Sequence, residues 1–111
     1  MAIPKWSMKV GDTRPILYAT LLAGGDVVDL TTASNVKFTM TNAAGSVVID
    51  LATCTIVSPP TNGIVSYAWQ TADTNTAGLF QGEFKVTWAD ASIERFPNQT
   101  NFQVQILANL A

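Results

Sequence analysis

Apolar and polar residues take turns along most of this chain, and they do so with a period of two. Val36, Phe38 and Met40 alternate with Lys37, Thr39 and Thr41, and Val65, Tyr67 and Trp69 with Ser66, Ala68 and Gln70. Phe84, Val86 and Trp88 alternate with Glu83, Lys85 and Thr87, and Phe102, Val104 and Ile106 with Asn101, Gln103 and Gln105. After the turn at residues 42–45, Val47, Ile49 and Leu51 read as a further strand with all three on one face. A period of two places alternate side chains on opposite faces of a strand, and no sustained helical period competes with it. Turn residues separate the runs: Gly24-Gly25-Asp26, Pro59-Pro60-Thr61-Asn62-Gly63, Thr74-Asn75-Thr76-Ala77-Gly78 and Asp90-Ala91-Ser92. The two prolines offer no backbone donor, so the run ending at Val57 must stop there. A single helical turn is expected around Thr71–Asp73. Fourteen β-branched threonines favour strands as well. The pattern predicts an all-β, two-sheet antiparallel sandwich of 7–8 short strands. Its core is expected to hold Leu17, Ala19, Leu21, Leu30, Val36, Phe38, Met40, Ile49, Val65, Tyr67, Trp69, Phe84, Val86, Trp88, Phe102, Val104 and Ile106.

At 111 residues the chain has room for a single domain spanning 1–111, with no repeat and no linker. The net charge of −2 suits nucleic acid poorly, because its binders carry a basic stripe. There is no histidine, so a Ser-His-Asp relay cannot be built and the commonest general base is missing. Cys54 is the one cysteine and reads as a small buried thiol, with no cation beside it in sequence to make it reactive. Asp12, Asp26 and Asp29 could converge on calcium, but turn aspartates more simply hydrogen-bond their own backbone. Glu83 and Glu94 could pair as a glycosidase acid and nucleophile, yet Glu83 points outward from its strand. No helix follows Gly24-Gly25 or Gly45 to make a phosphate cradle. The expectation is a non-enzymatic domain with no cofactor and no metal. The first nine residues lack a secretory apolar stretch, and no apolar run approaches the ~18 residues needed to span a bilayer. Trp69 and Trp88 fall in phase with core positions, whereas Trp6 lies outside the pattern.

Beyond periodicity, specific residues follow one another in a familiar order. Gly11-Asp12-Thr13-Arg14-Pro15 opens the first long strand; Gly24-Gly25-Asp26-Val27-Val28-Asp29-Leu30-Thr31 forms a hairpin and its exit; Val36-Lys37-Phe38-Thr39-Met40 and Gly63-Ile64-Val65-Ser66-Tyr67-Ala68-Trp69 follow as strands. Asp73-Thr74 with Gly78, then Glu83-Phe84-Lys85-Val86, and finally Phe96-Pro97, complete the series. In this order and spacing, over about residues 6–107, the chain resembles the N-terminal immunoglobulin-like domain of phage baseplate upper proteins. Phe80 stands where that family usually has tyrosine, and Asp90-Ala91-Ser92 replaces an Asp-Gly turn.

The resemblance implies an immunoglobulin-like sandwich serving as a structural component of a tailed-phage virion, made in the host bacterial cytoplasm. The family's domain often begins a longer protein, so a chain ending at Ala111 is expected to be a small stand-alone component. Its partners would be other virion structural proteins, in a homo-oligomer or multi-copy assembly, without nucleic acid or membrane. Only 13% of residues are charged, against ~25% in typical soluble domains, which fits a surface partly covered by neighbours. The candidate contact residues are Met1, Ile3 and Trp6 near the start, Gly24, Gly25, Asn75 and Thr76 in loops, and Leu107 and Leu110 near the end. The alternative is a carbohydrate-binding sandwich for host adhesion, with Trp6 as its stacking platform.

Overall fold

A computed structural model describes residues 5–14, 16–96 and 102–109. In chain order the strands are β1 (Lys5–Lys9), β2 (Leu17–Thr20), β3 (Leu22–Ala23), β4 (Asp26–Val27), β5 (Ala33–Thr41) and β6 (Val47–Thr53). They continue with β7 (Thr55–Ile56), β8 (Ile64–Tyr67), β9 (Gly78–Trp88), β10 (Ile93–Phe96) and β11 (Phe102–Leu107). Short 3-10 helices cover Pro60–Asn62 and Thr71–Thr74. The larger sheet runs β1-β11-β9-β5-β6, and β10 also pairs with β9. A second sheet runs β2-β8-β7, and β3 and β4 form a separate hairpin. The fold is an all-β sandwich, and every pairing is antiparallel except β1 with β11, which run parallel.

The alternation read from the sequence decides which side chains meet between the sheets. Val36, Phe38 and Met40 of β5, Phe84 and Val86 of β9, and Val104 and Ile106 of β11 are buried, as are Val65 and Tyr67 of β8. Phe38 sits at the centre of an aromatic cluster, with ring centroids 5.0 Å from Phe84, 5.1 Å from Tyr67 and 6.0 Å from Trp69. Gly82 makes room for that ring: a Cβ there would lie 2.7 Å from Phe38 Cε1. Gly63 is the other position closed to a side chain. It ends the Pro60–Asn62 helix at φ +66°, and a Cβ would come within 2.6 Å of the Val28 carbonyl oxygen.

One expectation for a strand face and two for the core are corrected. Val47 and Leu51 do not join Ile49 inside; both are exposed. The β5–β6 register shifts on either side of Met40, and Leu51 takes φ +50°, so a bulged edge strand breaks its own alternation. Trp88, the last residue of β9, is half-buried because the sheet ends beside it. Ala19 is likewise only partly buried. Met8, Phe80 and Phe96 were not on the expected list and are buried.

Candidate functional site

The clearest concavity is an open cleft of about 350 Å³ at one end of the larger sheet. One wall is the turn between β5 and β6, with Asn42, Ala43, Ala44 and Val48; the other runs from Asp73 through Asn75 to Phe80. The first wall is held rigid by its own turn. Asn42 Oδ1 accepts from the Ala44 and Ser46 amides at 3.0 Å each, and the Gly45 amide donates to the Asn42 carbonyl at 2.9 Å. The second wall is tied down at its base. Asp73 Oδ2 accepts from the Tyr67 hydroxyl at 2.5 Å and from the Gln70 amide at 2.8 Å. Buried Thr74 donates through Oγ1 to the Asp12 carbonyl at 3.0 Å, while its own carbonyl accepts from the Gly11 amide at 2.9 Å.

With Asn42 and Asp73 engaged in holding the walls, the cleft's distinctive resource is backbone. On one flank of β9, Gly78, Leu79 and Gln81 face Ile106, Gln105 and Gln103 of β11. On the other flank, pairing with β5 stops at Thr41 opposite Gln81. Among the described residues no strand covers Gly78–Phe80 on that side, and this open flank borders the cleft. Leu79 and Val48 are exposed at its mouth. An unfilled place beside a strand, walled by small and apolar side chains, can accept an extended chain.

The sequence-predicted contact residues fall into separate regions. Asn75 and Thr76 line the cleft, whereas Leu107, paired with Lys9 in β1, belongs to β11 on the other flank of β9 and is not among the lining residues. Gly24 and Gly25 form the exposed turn of the β3–β4 hairpin, which packs toward Gly63 at the far end of β8. Trp6 is half-buried against the core, so it presents no open stacking face. Met1, Ile3 and Leu110 lie outside the described residues. Sequence reasoning missed Leu79 and the open flank, although the turn signal at residues 42–45 marks where β5 ends.

The carboxylates weighed for chemistry have local tasks. Asp29 Oδ1 accepts from the Thr31 hydroxyl and from its amide at 2.9 Å, and those bonds hold the carboxyl below the usual carboxylate range. The hydroxyl and amide of Ser92 do the same for Asp90. Among the described residues no three of Asp, Glu and Cys gather to hold a metal, so Asp12, Asp26 and Asp29 do not converge. Glu83 pairs with Arg95 at 3.2 Å on the outward face, while Glu94 stands opposite inward-facing Val86, so the two glutamates lie on opposite faces. Burial pushes the Cys54 thiol up to about 12. Burial, reinforced by the Asp73 carboxylate, also raises the Tyr67 hydroxyl. Neither group is poised for chemistry near neutrality. Among the described residues no helix is long and apolar enough to cross a membrane.

No protein-family model matches this sequence, and no curated protein does. Among solved structures the chain is similar to CopC from Methylosinus trichosporium OB3b, with a TM-score of 0.56 and 12% identity. The likeness covers 97% of this chain and 90% of that one. At this identity it shows the fold, a β-sandwich, and carries no residue of a site across. The likeness to CopC rather than to a phage component points away from a virion structural role. That role is withdrawn, together with the host-adhesion module kept as its alternative, whose platform Trp6 is packed against the core.

Proposed function

We propose that this chain is a non-enzymatic binding module that takes up an extended segment of a partner protein along the open flank of Gly78–Phe80. The observation that carries the reading is the three-residue overhang of β9 beyond its pairing with β5, facing a cleft whose walls are fixed. An entering segment would find backbone hydrogen-bonding groups on one side and Leu79, Val48 and the alanines of the β5–β6 turn around it. Strand addition of this kind takes affinity from main-chain bonds and selectivity from alternate side-chain pockets. The fixed walls favour it, because a cleft already shaped loses little conformational freedom on binding.

The test is selection of peptides from a displayed random library against the whole chain, followed by amide chemical-shift mapping. Selected peptides are expected to perturb residues 42–48 and 73–80 and to lose binding to Ala44→Trp, which fills the cleft, and to Leu79→Asp. Perturbations centred elsewhere, or peptides indifferent to both substitutions, would refute the reading.

A further inference from the structure

Half of the chain's positive side chains stand in one row. Lys37 of β5 lies directly opposite Lys85 of β9, and Lys85 directly opposite Arg95 of β10. Directly opposed residues of antiparallel strands share a face, and strands lie ~4.8 Å apart, so the three cations span roughly 10 Å across the sheet. They are three of the six Lys and Arg residues in a chain of net charge −2. Glu83 is the carboxylate set among them, 3.2 Å from Arg95. Lys37 donates through Nζ to Thr53 Oγ1 at 2.7 Å, an uncharged partner. Neither Lys37 nor Lys85 has an ion pair among the described residues.

Like charges placed opposite one another weaken a sheet, and Lys85 has a cation on each side. Packing does not demand the arrangement, because the core is made by the other face of these strands, through Val36, Phe38, Phe84 and Val86. A row of this kind is stabilised by an anion laid across it.

We propose that the row binds a short acidic segment of a partner protein. The same face carries Thr39, Thr53, Thr87 and Gln81 around the cations and, among the described residues of these paired strands, no aromatic ring on which a nucleobase or sugar could stack. A long polyanion would run past the row and over the rest of an acidic chain. A segment the length of the row feels chiefly its cations, since charges beyond ~8 Å are screened at physiological salt. Ile93, half exposed and two residues from Arg95, adds an apolar contact beside the charges. The row lies toward the opposite end of β9 from the cleft and stands whether or not the cleft takes a partner.

Titration of a labelled oligoglutamate peptide into the whole chain, followed by fluorescence anisotropy, tests the proposal. Saturable binding that weakens with added salt is expected, with oligolysine showing none. Lys85→Gln and Lys37→Gln should each lower affinity about two- to fivefold, and the double variant more. Thermal unfolding of the same variants checks that they fold. Absence of saturable binding by the folded wild-type chain would overturn the proposal, as would undiminished binding by a folded double variant. Tighter binding of duplex DNA or heparin than of oligoglutamate would overturn it too, by assigning the row to a different class of partner.

Discussion

The two halves of β9 obey one alternation but differ in how fully their flanks are paired. Residues 84–87 have β5 on one flank and β10 on the other, and their inward side chains Phe84 and Val86 are almost fully buried. Residues 78–80 have β11 on one flank and a cleft on the other; Phe80 is buried on the inward face as the alternation requires, and outward-facing Leu79 is exposed beside the cleft. Strand identity is therefore a local property, whereas the completeness of pairing depends on where the neighbouring strand happens to turn. In this molecule β5 turns three residues too early to cover its neighbour, and that mismatch makes the cleft.

Substitution at each half gives the largest contrast. Phe84→Ala should cost about 3–5 kcal/mol, since it empties a site at the heart of the aromatic cluster. Leu79→Ala should stay within about 0.5 kcal/mol, measured by urea unfolding of both variants. Similar losses at the two positions would mean that Leu79 packs inward instead of standing at the mouth of the cleft. Gly82→Ala, where the halves join, should cost about 1–3 kcal/mol because the new methyl must displace the Phe38 ring.

The core beneath the doubly flanked half also predicts a pH response. Cys54 and Tyr67 are both raised on folding, so the native state holds their protons more tightly than the unfolded chain does. Their contribution is fully present only well below the unfolded thiol's ordinary value of about 8.5, and declines as pH rises from there through the native values. The urea midpoint should fall on that alkaline limb, and less steeply in Tyr67→Phe. A midpoint that stays level through the alkaline range would show that neither group is shielded as described. Amide exchange gives a subtler measure: the amides of residues 84–87 should exchange more slowly than those of 78–80. The smallest expected effect is a gain. Lys85→Gln should raise stability by a few tenths of a kcal/mol by relieving its two cationic neighbours; a loss in thermal unfolding would mean that the row is held together by bonds to the Lys85 amine.

Much of the sandwich was legible because the pleat enforces a period of two. Val36-Phe38-Met40, Phe84-Val86 and Val104-Ile106 could only turn their apolar sides to a shared interior. The legibility failed at β6, where a bulge exposes Val47 and Leu51 while Ile49 stays in, because a bulge leaves no mark in the apolar pattern. Of the cleft, Asn75 and Thr76 were visible as turn residues, but the open flank was not. It is a difference between the lengths of two strands that are far apart in sequence.

The amino-acid order by itself determined that this chain forms strands, which side of most strands faces inward, and where the prolines and glycines interrupt them. Those follow from sterics and from transfer of apolar surface out of water, both of which act residue by residue. Only the tertiary structure decided that β1 runs parallel to β11, that β9 outreaches β5, and that Lys37, Lys85 and Arg95 fall into one row. Register across a sheet is set jointly by all the strands that share it, so no single stretch of sequence contains it.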